Sequence, residues 1–162
     1  MNKSNGADPS ASGNARPKVK VLNQCVRDLS FENFAAQNEK SISSVPNISF
    51  NVQISTKESG TNIYSVSVVL KVDAKSSNKE EPIFLLELDY GGRFLVENLS
   101  LGQLKPFLLI ECPKLMFPYI RRLVEDLTSE GGFPPLKLDP IDFGELYSRE
   151  IERAKSEATS IA

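Results

Sequence analysis

Two stretches of the chain alternate between apolar and polar residues, and this pattern constrains the fold more than any other feature. In Asn47–Thr56 and Asn62–Ala74, apolar residues recur at every second position over most of the stretch. Such alternation places the apolar side chains on one face of an extended strand, which is typical of a half-buried β-strand. The polar segment Lys57–Thr61 predicts a hairpin turn between the two strands, with Gly60 supplying a positive φ.

Weaker patterns predict two further strands. Val19–Leu29 has four apolar residues in one phase, and Pro82–Tyr90 follows the polar turn Lys75–Glu81. Short polar turns between successive strands favour an antiparallel meander, because a parallel pair requires a crossover of a dozen or more residues. Pro82–Tyr90 is apolar on both faces near its start. It therefore requires cover on both sides, which hints at an interface.

The C-terminal part of the chain changes to a helical period. Ser100 predicts the N-cap of a first helix, which Pro106 should kink or shorten and Pro113 should end. A second helix is predicted to start at Pro118, a favoured first-turn residue, and to end at Gly131. The fold class expected is therefore α+β, a four-stranded antiparallel meander sheet followed by two to three helices.

The last helix and the termini complete the predicted organisation. Asp142 and Glu145 have the spacing of a capping box, which predicts the start of a third helix. Residues 1–17 are rich in Asn, Ser, Gly, Ala and Pro without any period, so we expect a disordered N-terminal arm. Residues 18–155 are expected to form one domain. Helical order is expected to fray after Ala154, which leaves residues 156–162 as a flexible tail.

Composition excludes several classes of function. The chain has no histidine, so it has neither a Ser-His-Asp triad nor a His-ligated metal site. The two cysteines, Cys25 and Cys112, are too few for a Cys-rich zinc cluster or a secreted disulfide framework, and we interpret both as small core residues. The sequence indicates no cofactor and no enzymatic activity.

Charge and hydropathy limit location and partners. The net charge is −2, but residues 1–20 hold four basic residues against one acidic, which leaves 15 basic against 20 acidic in the rest. An acidic body argues against nucleic acid as the main partner. The longest apolar run, Phe107–Ile110, is far short of a bilayer span, and residues 1–20 lack a signal-peptide core. We therefore expect a cytoplasmic protein that does not insert into the membrane.

Some polar residues could carry chemistry or binding, each with a plainer alternative. Glu87 and Asp89 share one strand face, which permits acid–base catalysis but is more typical of a solvated sheet face. Asp28 and Glu32 are solvated charges or part of a docking surface. Gly91-Gly92 is a bulge or hairpin turn rather than a phosphate loop, because the required lysine and Ser/Thr are absent.

The connector after the second predicted helix contains the sequence Phe133-Pro134-Pro135. Two consecutive prolines exclude a helix here and make the backbone stiff. The aromatic and proline side chains either pack as an ordinary loop or line a groove for an extended peptide. The residues alone leave both interpretations open.

Four blocks of residues together carry a resemblance to a known family. They are Val26–Glu32, Phe84–Phe94, Cys112–Arg121 and Gly131–Phe143. In this order and at this spacing they resemble the SecB family of bacterial protein-export chaperones. Together they cover roughly residues 19–151, and an ordered set of this kind is highly specific. The resemblance implies a chaperone that holds precursor proteins unfolded and delivers them to the SecA motor, without ATP or metal of its own.

The resemblance also implies an assembly and three sets of site residues. SecB-like chains assemble as a dimer of dimers, and the family's tetramer contacts carry over onto Leu86, Leu88 and Tyr90. The family's SecA-docking positions carry over onto Asp28, Glu32, Leu85 and Glu87. The candidate lining of the groove for unfolded clients is Phe31, Phe34, Phe133, Leu136, Phe143 and Leu146.

The sequence differs from the family in two places, and it leaves two alternative functions open. The tail mixes acidic with basic residues, which weakens the case for a second SecA contact there, and Ala35–Pro46 lacks the tryptophan of some relatives. One alternative is a SecB-like chaperone of a toxin–antitoxin system. The other is a non-chaperone adaptor or ligand-binding module on the same sheet.

Overall fold

A computed structural model describes residues 15–42, 44–78 and 80–160. Most of the predicted N-terminal arm therefore lies outside the described residues. The elements are strands β1 (Lys18–Asn33), β2 (Asn47–Gly60), β3 (Ile63–Lys75) and β4 (Pro82–Glu97), helices α1 (Phe34–Gln37), α2 (Leu101–Pro106), α3 (Cys112–Glu130) and α4 (Phe143–Ser160), and a π-helical segment, Phe107–Glu111, between α2 and α3.

The four strands form one antiparallel sheet in the order β1-β4-β3-β2. The predicted four-stranded antiparallel sheet followed by helices is confirmed. β2, β3 and β4 follow one another as a meander, whereas β1 lies beside β4 instead of beside β2. The connection from β1 to β2 spans residues 34–46, which is long enough to cross roughly three strand spacings of about 4.8 Å each.

The hairpin between β2 and β3 is tighter than the sequence predicts. β2 continues through Lys57 to Gly60, so the predicted five-residue turn is wrong. The turn consists of Thr61 and Asn62, and Asn62 has the positive φ, 56°, that was expected at Gly60. Asparagine tolerates this left-handed conformation better than other non-glycine residues, because its short polar side chain bonds locally to the backbone.

Strand β4 also runs further than predicted. Gly91 and Gly92 lie inside it and pair with both neighbouring strands, so their interpretation as a hairpin turn is wrong. The irregularity expected there occurs on β1, where Leu22 and Arg27 are extra residues with no partner in β4. These two β-bulges bend the edge strand on either side of the glycine pair.

The helical region is more continuous than predicted. Pro113 does not end a helix and Pro118 does not begin one, since both lie within α3. In the π segment the N–H of Cys112 donates to the carbonyl of Phe107, five residues earlier. The wider π turn offers room for the Pro113 ring, which would collide with a carbonyl in a regular α-helix.

The ends of the two long helices were predicted more accurately. α3 ends before Gly131, whose N–H donates to the carbonyl of Leu127 at 2.9 Å. At the start of α4 the N–H of Glu145 donates to Asp142 Oδ1 at 2.9 Å, which confirms Asp142 as the cap. α4 extends to Ser160, past the residue at which we expect fraying, and the flexibility of this end stays a prediction.

The core lies between one face of the sheet and α3, and we call this the helix-covered face. β3 contributes the alternate residues Val66, Val68, Leu70 and Val72, each at most 1% exposed. α3 buries residues four apart, including Met116, Ile120 and Val124, against them. The other face, which we call the open face, carries exposed side chains such as those of Lys71 and Arg93.

Candidate functional site

The four predicted SecA-docking residues lie together on the open face. Glu32 pairs with Leu85 across β1 and β4, and Glu87 is the next β4 residue on the same face. Asp28 pairs with Asp89 one step further along. Directly opposed side chains have Cβ atoms about 5 Å apart, so these residues form one continuous surface. We call Asp28, Glu32, Leu85 and Glu87 the acidic patch.

The carboxylates of the acidic patch differ in their local pairing. Glu87 forms an ion pair with Lys71, whose Nζ lies 3.1 Å from Glu87 Oε1. Among the described residues Asp28 and Glu32 form no ion pair, and the Asp28 carboxylate accepts only the neighbouring N–H of Leu29. Leu85, half-buried, supplies an apolar centre between the charges. The arrangement suits a partner with basic residues around one apolar side chain.

The residues predicted to form tetramer contacts lie elsewhere. Leu86, Leu88 and Tyr90 are 0%, 1% and 7% exposed, because they point from β4 toward α3 on the helix-covered face. The apolar residues on the helix-covered face of β4 are therefore explained by the core of the single chain, whereas apolar Leu85 on the open face is not. Within one chain the helices cover these three side chains, and their part in assembly stays a prediction.

An exposed apolar strip borders this part of the core, and sequence reasoning missed it. It combines Val26 and Leu29 of edge strand β1 with Leu115 and Tyr119 of α3, which are 38% to 56% exposed. The Tyr119 ring stacks on that of Tyr90, with the centroids 6.5 Å apart. Burial raises the pKa of Tyr90, and Tyr119 and Cys25 raise it further. The sequence does contain a signal for this strip, because Leu115 and Tyr119 each stand directly before a core residue of α3 and add a second apolar side chain to that turn.

A cavity of about 600 Å³ forms the candidate client groove. Phe133 and Leu136 line it as predicted, together with both prolines of the connector. Its other wall was missed by the sequence analysis and consists of Ile42, Ser44, Val45, Pro46 and Ile48, with Phe84 at the base. The residues before β2 gave no signal, because they follow no period.

Three phenylalanine rings form the floor beside this cavity. The ring of Phe84 lies 4.9 Å from that of Phe133 and 5.6 Å from that of Phe31. The connector approaches closely, since a Cβ on Gly131 would lie 2.7 Å from the Phe31 ring. Asn33 Nδ2 also donates to the Gly131 carbonyl at 2.8 Å. Phe31 therefore supports the groove from below and is absent from its lining.

A buried threonine holds the connector in place on α3. Thr128 is 0% exposed, and its hydroxyl donates to the Val124 carbonyl at 2.8 Å. The same oxygen accepts the N–H of Leu136 at 2.9 Å. The groove wall is therefore fixed by a hydrogen bond inside the core, which favours a preformed binding surface.

The remaining predicted groove residues do not line this cavity. Phe143 is 1% exposed and packs edge-on against Phe117 with the ring centroids 5.8 Å apart, so it belongs to the core. Leu146 borders a separate, small hollow of about 30 Å³ beside β2. Phe34 lies in α1 and is absent from the cavity wall. Apolar spacing alone could not separate core from groove.

Other chemistry is sparse in the part of the chain that the structure describes. Within those residues, no three His, Cys, Asp or Glu side chains come close enough to hold a metal ion. None of the described helices is long and apolar enough to cross a membrane. Cys112 is buried as predicted, and burial raises the pKa of its thiol to about 12, whereas Cys25 is exposed, so its assignment to the core is wrong.

A family model and individual relatives of similar sequence point to the same protein family. The family model described as preprotein translocase subunit SecB matches residues 12–154. The protein-export protein SecB of Jannaschia sp. is 46% identical, covering 90% of this chain and 86% of the relative. That of Cereibacter sphaeroides is 47% identical and covers 100% and 98%.

A solved structure shares the fold. A Mycobacterium tuberculosis SecB-like chaperone, determined in complex with a ChAD peptide from an antitoxin, aligns with a TM-score of 0.62 at 13% identity. The alignment covers 76% of this chain and 90% of the other. This likeness establishes the common architecture only. The relatives named for protein export are far more similar in sequence, so the toxin–antitoxin alternative is not favoured.

Proposed function

The chain belongs to the SecB family, and from that premise we infer that it is a protein-export chaperone. The observation that carries this is the identity of 46% and 47%, over most of both chains, to proteins named for protein export. We propose that the protein binds unfolded precursors in the groove, contacts SecA through the acidic patch and acts in the cytoplasm without a catalytic step or cofactor.

Client capture follows from the chemistry of the groove. A cavity of about 600 Å³ lined by Phe, Ile, Val, Leu and Pro buries apolar side chains without directional bonds. Such a surface accepts many sequences, which a holder of diverse unfolded chains requires. The neighbouring β2 is an edge strand whose Ile48 and Phe50 are 40% and 53% exposed. An extended client has apolar contacts and free backbone groups within reach at the same place.

Delivery to SecA is assigned to the opposite face. The acidic patch matches the family's docking positions in residue type, and its four members are contiguous. The carboxylates of Asp28 and Glu32, which form no ion pair with any described residue, supply long-range attraction to a basic element, while Leu85 supplies a desolvated contact. Because the acidic patch and the groove lie on different faces, one chain can hold a client and contact SecA together.

Assembly as a dimer of dimers would multiply the groove. Several weak contacts on one particle act at high effective concentration, so capture is tight while each contact exchanges quickly. We propose that the exposed apolar strip of Val26, Leu29, Leu115 and Tyr119 supports this assembly. The predicted contact residues Leu86, Leu88 and Tyr90 lie beneath the strip, where the Tyr90 ring stacks on that of Tyr119. Exposed apolar surface beside an edge strand is typical of a face that pairs with another chain.

Separating the two faces by mutation tests this function. Glu87→Lys should weaken SecA binding at least about tenfold, because it reverses a charge within the docking surface. Phe133→Ser should leave SecA binding unchanged and reduce suppression of precursor aggregation. SecA affinity is measured by calorimetry, aggregation by light scattering, and the assembly by native mass.

Glu152→Lys is the matched control, because it reverses one exposed charge on α4, away from both surfaces. It should change neither measurement. Loss of both activities in Glu87→Lys, or full SecA affinity in that variant, would contradict the division of labour between the faces. A wild-type protein that suppresses no aggregation would contradict the chaperone function itself.

A further inference from the structure

A second surface on the open face takes part in neither client capture nor SecA docking. It is a hollow of about 420 Å³, further along the strands than the acidic patch. Its floor is a row of small residues paired across all four strands, Cys25, Gly91, Ser67 and Ser55. Short side chains in one row leave a depression between the longer side chains of the neighbouring residues on the open face.

Three cations surround this depression, Arg27, Lys57 and Arg93, and none of the described residues that line it is acidic. In the part of the chain that the structure describes, neither Lys57 nor Arg93 forms an ion pair. The chain as a whole carries a net charge of −2. A cluster of three cations around a cavity, of which only Arg27 has an acidic partner among the described residues, is therefore a local exception, and we call it the basic hollow.

Arg27 is directed toward the basic hollow by the strand geometry. It is the extra residue of a β-bulge, and its side chain crosses Gly91, where a Cβ would lie 2.5 Å from Arg27 Cδ. Its Nε lies 3.6 Å from Asp89 Oδ2, and the Ser67 hydroxyl donates to Asp89 Oδ1 at 2.6 Å. The Asp89 charge is thereby balanced, and the bulge and the glycine together direct a guanidinium to the rim of the basic hollow.

The spacing of the cations indicates what they bind. Lys57 on β2 and Arg93 on β4 both pair with Ser65 on β3, so their backbones are two strands, about 10 Å, apart. Cations spread in this way suit several separate anionic groups better than one compact oxyanion. In an extended peptide, acidic side chains at every second residue are about 7 Å apart on one face, and long Lys and Arg side chains from backbones about 10 Å apart can reach them.

We propose that the basic hollow binds an extended acidic segment of a partner protein. Carboxylates of the segment pair with Arg27, Lys57 and Arg93, and its backbone lies over the row of small residues. Next to the acidic patch this gives the open face two opposite charges in a fixed order along the strands. The site stands on its own residues and requires neither SecA docking nor client capture.

The test uses a fluorescein-labelled peptide of alternating Glu and Ser, titrated by anisotropy at low ionic strength against the full chain. The same peptide with Gln in place of Glu should bind at least about tenfold more weakly. The double variant Lys57→Gln with Arg93→Gln should lose about tenfold in affinity for the acidic peptide. Ser55→Phe, which fills the basic hollow without changing any charge, should lose at least about fivefold.

Arg121→Gln is the control, because it removes one exposed positive charge on α3, on the opposite side of the sheet. It should leave the affinity unchanged, and thermal melting followed by circular dichroism checks that every variant is folded. Equal losses in Arg121→Gln, or full affinity in Ser55→Phe, would show diffuse charge attraction and overturn the proposal. Complete displacement of the peptide by millimolar inorganic phosphate would overturn it in favour of a small-anion site.

Discussion

The two faces of the sheet use the same strands for different purposes. On β4, Leu86 and Leu88 point into the core at 0% and 1% exposure, while Glu87 between them is exposed on the open face. Because side chains alternate along a strand, neighbouring residues experience separate environments. The comparison shows that one face can meet the requirements of packing while the other remains available for charge and recognition.

The cysteines give the largest expected difference between the faces. Exposed Cys25 on the open face should react with a maleimide reagent at pH 8, whereas Cys112 should react on the order of a thousandfold more slowly, because it must first be uncovered. Thiol counting should give one fast group per native chain and two after unfolding in urea. Cys25→Ser should abolish the fast reaction, and two fast groups in the native protein would contradict the comparison.

The pH dependence of Cys112 has a definite sign. Burial raises the pKa of its thiol from 9.0 to about 12, so the unfolded chain ionises first as the pH rises. The native state therefore binds more protons than the unfolded state between these values. The contribution of this thiol to stability is complete below about pH 9 and is lost as the pH rises toward 12.

Truncating one apolar side chain on each face sharpens the comparison. Leu88→Ala removes a side chain that is 1% exposed, and we expect the free energy of unfolding to fall by about 3 kcal/mol. Val69→Ala, on the open face at 37% exposure, should cost less than about 1 kcal/mol. Urea denaturation at one fixed protein concentration measures both. Equal losses would mean that another chain or segment covers the open face.

The adjacent glycines make the same comparison at a smaller scale. A Cβ at Gly92 would lie 2.7 Å from the Phe94 ring and 3.2 Å from Met116 Sδ, inside the packed core. Gly92→Ala should therefore cost about 1–2 kcal/mol in urea denaturation. A Cβ at Gly91 meets only the flexible, exposed Arg27 side chain, so Gly91→Ala should cost about 0.5 kcal/mol or less. The reverse order would show that the rim of the basic hollow is rigid.

Local patterns predicted the parts of the fold that depend on neighbouring residues. The alternation in β3 identified Val66, Val68 and Leu70 as inward-facing, and all three are buried. The cap at Asp142 and the helix end at Gly131 follow from short-range hydrogen bonding, which a sequence reveals directly. The resemblance to a known family supplied the acidic patch, whose members the sheet then brings together.

Features that depend on distant contacts could not be read in this way. Alternation shows that Leu86 and Leu88 share a face, but it cannot tell which face the helices cover. Gly91 and Gly92 look like a turn because glycine is unfavourable in strands, yet here the missing side chains admit Arg27 on one side and Met116 on the other. Likewise, the groove wall at Ile42 and Val45 comes from residues with no periodic pattern.

The pairing of β1 with β4 has a consequence for the synthesis and folding of the chain on the ribosome. β1 leaves the ribosome first, but Val26 pairs with Tyr90, 64 residues further on. At a synthesis rate of about 5–20 residues per second, the strand waits roughly 3 to 13 s for its partner. During that time the nascent chain exposes an apolar strand with unpaired backbone groups. Segments of this kind are what a protein-export chaperone binds in its precursor clients.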